Sequence, residues 1–272
     1  MFPYDFTHHR ATSVAEAASL GATLPDGKFL AGGQTLVQTM KLRLAAPTDL
    51  IDLEGVPELK GIRLDGGHLV VGAMSRHAEV QGTRLVRETV AALAHLASEI
   101  GDRQVRNRGT IGGSLANNDP AADYPAAVLA LDASIVTNDR VISADSFFVG
   151  LYETALRAGE LITSVRFPVP RRAGYVKFRS PASGFAMVGI FVADFGNIVR
   201  MAVTGAGATV YRWPEAESLL RTSFLPEALD GLTVSADGLN SDLQASAAYR
   251  AHLIPIIARR AVASALGREE PR

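Results

Sequence analysis

Apolar and polar positions fall into short blocks whose period switches repeatedly between helical and extended spacing. Ser13 precedes the Ala-rich run from Val14 to Leu20 and has Glu16 three residues on, the pattern of a capping box that opens a helix. Lys28-Phe29-Leu30 is a short strand candidate running straight into Ala31-Gly32-Gly33-Gln34-Thr35. Leu50-Ile51-Asp52-Leu53 and Leu69-Val70-Val71-Gly72-Ala73 predict two more strands, with Gly66-Gly67 marking a turn before the second. A long amphipathic helix is predicted over Glu88 to Ile100. The next stretch, Asn107 to Pro125, is rich in glycine, asparagine and proline yet lies between two apolar segments, which predicts an ordered loop and not a linker.

Phe167-Pro168-Val169-Pro170-Arg171-Arg172 marks a boundary, because two prolines remove backbone donors where the composition turns polar. Beyond it, Tyr175 to Arg179, Ala186 to Ala193 and Ile198 to Thr204 read as strands. A final helix, Ala245 to Leu266, carries Pro255, which is expected to kink or split it. Mixed helix and strand patterns of this kind predict an α+β fold.

Composition narrows the function. With 272 residues, 47% of them hydrophobic, the chain can bury a substantial core in two or three small domains. A formal net charge of -1 gives no global attraction to nucleic acid or to an anionic membrane, so nucleic acid is excluded as a partner. The N-terminal residues lack the apolar core of a signal peptide, and no run approaches the length of a membrane span; a cytoplasmic location without an integral membrane segment is expected. There is no cysteine, so this chain's own thiolates hold no iron-sulfur cluster. His8, His9, His68, His77, His95 and His252 show no metal-ligand spacing, and no metal is expected.

The candidate chemistry lies in two glycine pairs. A protein that binds a pyrophosphate without a metal must bring several backbone N–H groups close to it, and side chains obstruct that approach. Gly32-Gly33 with Thr35, and Gly112-Gly113 with Thr110 and Ser114, are each suited to the task, and together they can grip one dinucleotide from two sides; either alone reads more readily as a tight turn. Gly205-Ala206-Gly207-Ala208-Thr209-Val210 approaches a Rossmann fingerprint but has Val210 where the third glycine belongs, and Tyr211-Arg212-Trp213-Pro214 opens a helix poorly. Arg103, Arg106 and Arg108, just before the second pair, are suited to meet a partner or the bound dinucleotide, or to form a solvated edge.

Ala31-Gly32-Gly33-Gln34-Thr35 and Thr110-Ile111-Gly112-Gly113-Ser114, with Asn117-Asn118-Asp119-Pro120-Ala121-Ala122-Asp123 following, resemble the medium, flavin-binding subunits of the xanthine dehydrogenase and carbon monoxide dehydrogenase family. Met40 to Ala45, Tyr175 to Arg179, Ser241-Asp242 and Tyr249-Arg250 extend the resemblance over nearly the whole chain, most of all to the carbon monoxide dehydrogenase branch. Thr35 stands where many relatives have Ser, and Val203 to Thr209 has no assignable role.

The resemblance implies an FAD-binding domain of the vanillyl-alcohol oxidase (PCMH) type in two subdomains, residues 1–55 and 56–172, and a C-terminal antiparallel sheet-and-helix domain, 173–272. It implies that Leu30, Ala31, Gly32, Gly33, Gln34, Thr35 and Leu36, with Thr110, Ile111, Gly112, Gly113, Ser114 and Asn117, hold the FAD diphosphate and its neighbours. Asp123 would accept hydrogen bonds from FAD hydroxyls, Leu161 would line the flavin ring, and Lys177 would sit near it, sharing one strand face with Tyr175 and Arg179. No catalytic side chain is implied here. A large subunit with the molybdenum cofactor and a small subunit with [2Fe-2S] clusters are the implied partners, in a dimer of heterotrimers. The FAD subunit would pass electrons to an external acceptor. An independent flavin oxidase of the same fold and a noncatalytic assembly subunit remain the alternatives.

Overall fold

Ser13 caps the first helix as its sequence requires: the side chain accepts from the Glu16 N–H, while the Glu16 carboxylate reaches back to the N–H and hydroxyl of Thr12. In this computed structural model, which describes residues 2–268, the chain opens with β1 (Thr7–Arg10), α1 (Val14–Thr23), β2 (Gly27–Leu30), α2 (Leu36–Lys41) and β3 (Asp49–Asp52). Met1 and residues 269–272, the outer ends of the first and third sections, lie outside the described residues. β1, β3 and β2 pair in that order as a parallel sheet, so β2 is an edge and delivers the first glycine pair at its C-terminal end.

The middle section runs β4 (Ile62–Asp65), β5 (His68–Gly72), α3 (His77–Gly82), α4 (Arg84–Thr89), α5 (Ala91–Ser98), α6 (Arg103–Arg106), α7 (Ile111–Asn117), α8 (Tyr124–Ala130), β6 (Ser134–Thr137), β7 (Val141–Ser143), α9 (Ala144–Phe147), β8 (Phe148–Gly150), β9 (Glu153–Thr154) and β10 (Ile162–Pro168). Its sheet is antiparallel in the order β4-β5-β10-β6-β7, and Gly66 and Gly67 form the β4–β5 turn with positive φ. Two expectations are revised here. The helix expected over residues 88–100 breaks at Val90, whose non-helical backbone (φ -139, ψ 70) separates α4 from α5. The expected loop over residues 107–125 instead contains α7, capped by Thr110, and the start of α8. Glycine lowers helix propensity, but Ile111 and Leu115, both fully buried, anchor the short α7 through packing.

The last section comprises β11 (Arg172–Arg179), β12 (Ala186–Asp194), β13 (Val199–Thr204), β14 (Tyr211–Arg212), α10 (Pro214–Thr222) and α11 (Ala247–Ala265). Every residue of β12 is buried, which explains why it reads as an unbroken apolar run. Val188, Ile190 and Val192 pack with Ile254, Ile257 and Ala258 of α11, whereas Phe191 and Ala193 join the core formed by α5 and α8. The antiparallel sheet β11-β12-β13-β14 is thus sandwiched between helices of the middle section and α11. α11 continues as one helix through Pro255, so the split, one of the two outcomes expected there, does not occur. No helix of the described residues is long and apolar enough to cross a membrane.

Candidate functional site

The sheet edge at β2 and the entry to α7 bring the two glycine pairs into contact. A Cβ on Gly32 would collide with the carbonyl of Arg108 and come within 2.8 Å of the Gly109 Cα, so this close approach requires glycine. Across the same junction a Cβ on Gly113 would lie 3.5 Å from that of Ala31. Gly33 turns the chain toward α2 with φ +74.

The backbone donors are distributed unequally. The N–H groups of Ile111 and Gly112 bond to the carbonyls of Ser75 (3.1 Å) and Ala73 (2.9 Å), and those of Gly113 and Ser114 bond to the Thr110 hydroxyl (3.2 Å) and carbonyl (3.0 Å). The second pair is a packing element, its first helical turn zipped onto residues 73–77, where a Gly112 Cβ would come within 2.6 Å of the Ala73 Cβ. In the first loop the N–H groups of Gly32, Gly33, Gln34 and Thr35 make no hydrogen bond to other described residues, and each of these residues is at least partly exposed. Free, accessible donors next to a backbone junction too close for a Cβ suit a diphosphate. Leu30 and Leu36 flank these donors, partly buried, and Ser114 and Asn117 lie partly exposed along α7.

Asp123 ends the loop after α7 and is 4% exposed. It stands at the N-cap position of α8 but makes no side-chain cap. Its Oδ1 accepts from the Tyr175 hydroxyl and lies 3.0 Å from the Lys177 ammonium, which also donates to the Glu99 carbonyl at 2.8 Å. Oδ2 has no donor among the described residues. Burial pushes the Asp123 pKa up, and the Lys177 charge and the Tyr175 and Lys177 hydrogen bonds oppose the rise. Burial and the neighbouring Asp123 charge raise the Tyr175 pKa, so its hydroxyl remains a donor.

Tyr175, Lys177 and Arg179 share one face of β11, the last reaching the Glu99 carboxylate at 2.7 Å. The Lys177 side chain is only 1% exposed, so its charge acts on its surroundings as half of an ion pair with Asp123. Leu161 is buried with Ile51, Leu59 and Met74, in the core that also supports Ala31. Arg106 is spent on the carbonyls of Ile100 and Gly101, whereas Arg103 and Arg108 are exposed. Tyr175 belongs to a segment the resemblance marks, but its partner is not visible in sequence: its hydroxyl meets Asp123 across 52 positions.

Two contiguous glycine loops, donors on one and close packing on the other, and a half-committed buried carboxylate in the loop after α7, define a dinucleotide-binding protein of α+β fold without a Rossmann unit. Residues 4–170 match the family described as FAD binding domain in molybdopterin dehydrogenase. The chain is 35% identical to the carbon monoxide dehydrogenase medium chain of Hydrogenophaga pseudoflava, over 98% of this chain and 99% of that one. It is 38% identical to the nicotine 6-hydroxylase medium subunit of Paenarthrobacter nicotinovorans, covering 93% and 94% of the two. A solved structure of the Hydrogenophaga pseudoflava carbon monoxide dehydrogenase superimposes with a TM-score of 0.88 at 34% identity, covering 99% of this chain and 100% of the other. The chain belongs to the family of FAD-binding medium subunits of molybdenum hydroxylases, and is an oxidoreductase subunit.

Proposed function

We propose that this chain is the electron-exit subunit of a molybdenum hydroxylase complex. The observation that carries the reading is the junction of the two glycine loops, with the N–H groups of residues 32–35 free beside it. Gly32 to Thr35 donate to the FAD diphosphate; Thr110 to Ser114 hold the junction closed, and Asn117 and Asp123 receive hydroxyls of the cofactor. Residues 1–55 and 56–172 are the two FAD-binding subdomains, and 173–272 the domain that backs Asp123 with Tyr175 and Lys177. Lys177 and Asp123, paired at 3.0 Å, place little net charge beside the flavin, while Leu161 supports the site from beneath.

FAD supplies a carrier that takes electrons singly and releases them singly or in pairs. With no cysteine in the sequence, the [2Fe-2S] clusters that feed it belong to a small partner subunit, and the molybdenum cofactor to a large one. The relatives named as medium chains or medium subunits support such an assembly, which we place in the cytoplasm as a dimer of heterotrimers.

The test is the absorption spectrum of the purified chain before and after incubation with FAD, followed by acid precipitation. Stoichiometric flavin released to the supernatant is the expected result. Flavin retained in the pellet would indicate a covalent, independent oxidase, and no flavin uptake even with the partner subunits present would overturn the proposal.

A further inference from the structure

The stretch Val203 to Thr209 has no flavin role in the sequence motifs, yet two of its residues grip the loop that carries Asp123. The Gly205 N–H donates to the Pro120 carbonyl at 2.8 Å, and the Thr204 hydroxyl lies 3.2 Å from the same carbonyl and 2.7 Å from that of Ala122. Gly205 has φ +83, and a Cβ there would strike the Ala186 carbonyl oxygen. Behind this turn Arg250, 3% exposed, donates through Nη1 to the carbonyls of Met187 (2.6 Å) and Gly205 (2.9 Å) and through Nη2 to Asp242 (2.8 Å). The anchor is therefore rigid, fixed to α11 on one side and to β12 on the other.

Ala122 is bonded to Asp123 by the peptide whose carbonyl Thr204 holds. The carboxylate is oriented from two directions: Thr204 sets the preceding peptide plane, and Tyr175 and Lys177 set Oδ1. All three residues lie outside the matched FAD-binding segment, residues 4–170. We infer that Thr204 is a positioning residue for cofactor binding, its hydroxyl fixing the Ala122 carbonyl so that Oδ2 of Asp123 presents a free acceptor to a hydroxyl-bearing segment of the dinucleotide. The inference rests on the FAD reading above. Thr204 touches no ligand in this scheme and acts only through Asp123. A methyl in place of the hydroxyl leaves the Ala122 carbonyl without its donor, and the peptide and the following side chain are free to turn.

The experiment is a double-mutant cycle on the FAD dissociation constant of the full chain, read by flavin fluorescence, with Thr204→Val, Thr204→Ser, Asp123→Asn and the Val/Asn double variant. Thr204→Val is expected to weaken binding about ten-fold, or ~1.4 kcal/mol. Thr204→Ser, which keeps the hydroxyl, is expected to restore affinity to within about three-fold of the unsubstituted chain. In the Asp123→Asn background the Thr204→Val change is expected to alter affinity less than about two-fold, because the group it orients has already been altered. An unchanged dissociation constant for Thr204→Val would overturn the inference, and so would a full ten-fold loss persisting in the Asp123→Asn background, which would mark a purely structural hydroxyl. Should the valine variant not fold, Thr204→Ala takes its place in the same cycle. An unsubstituted chain that takes up no FAD would overturn the flavin reading and this inference together, whereas normal uptake with no Thr204 effect would overturn the inference alone.

Discussion

His77 is 5% exposed, its Nδ1 has no partner among the described residues, and its ring packs against Tyr124 at 5.3 Å. Burial, with the nearby Arg106 charge, holds its pKa down from 6.5 to about 4. As pH falls below 6.5 the unfolded chain therefore takes up a proton before the folded one does. The stability contributed by the neutral ring is complete above 6.5 and is lost as pH falls toward 4. The upper bound on that loss is about 3 kcal/mol. Urea titrations at neutral pH and near pH 4 are expected to show a smaller acid loss for His77→Gln than for the unsubstituted chain. Equal losses would mean that the buried imidazole is protonated without cost. The effect would reach the proposed site directly, because the His77 N–H bonds the Gly109 carbonyl at 3.0 Å, beside the loop junction.

At the scale of elements, α7 connects the second glycine pair to the hairpin β8–β9. Its C-cap, Asn118, adopts the left-handed conformation (φ 42, ψ 51), and its buried amide nitrogen donates to the carbonyls of Gly150 and Glu153, both at 2.8 Å. Those carbonyls straddle Leu151-Tyr152, where Tyr152 also has a positive φ of 55. The asparagine therefore terminates the helix and holds a strained turn with one side chain. Asn118→Ala is expected to cost about 2–4 kcal/mol, from two orphaned carbonyls and a left-handed alanine. Chemical denaturation measures this directly, and a cost below ~1 kcal/mol would mean that the hairpin holds itself. The aspartate at 119 and the proline at 120 give the sequence the look of a loop, and only the buried Ile111 and Leu115 show why a helix forms before them.

At the scale of the whole molecule, the ion pair of Asp123 and Lys177 joins the middle section to the last one across the main core. Removing one member strands a buried charge. Lys177→Met is expected to destabilise the fold by about 3–5 kcal/mol, and adding Asp123→Asn to recover much of that, since a neutral pair needs no counter-charge. Stability from denaturant unfolding, compared across the four proteins of the cycle, checks it; additive losses would show that the two charges do not depend on each other. Because the two charges are paired at 3.0 Å, they are nearly neutral from outside.

Much of this protein is legible from local chemistry. Ser13 marks a helix start, Gly66-Gly67 a turn between strands, and the apolar run from Ala186 to Ala193 a strand, because capping, turn geometry and side-chain pattern each act over a few neighbouring residues. Both glycine pairs are likewise visible as candidate cradles, and their motifs identify the family. The division of labour between them is not visible. Whether an N–H is free or spent depends on which carbonyl lies opposite, and the carbonyls of Ala73 and Ser75 reach Gly112 and Ile111 only through the fold. The same holds for Asp123, whose partners Tyr175 and Lys177 lie more than fifty positions away, and for Thr204, whose neighbours in sequence say nothing of the carbonyls it holds. Patterning over a few residues sets elements and turns; long-range backbone contacts alone assign donors and acceptors, because a hydrogen bond is satisfied by whatever tertiary packing brings within about 3 Å.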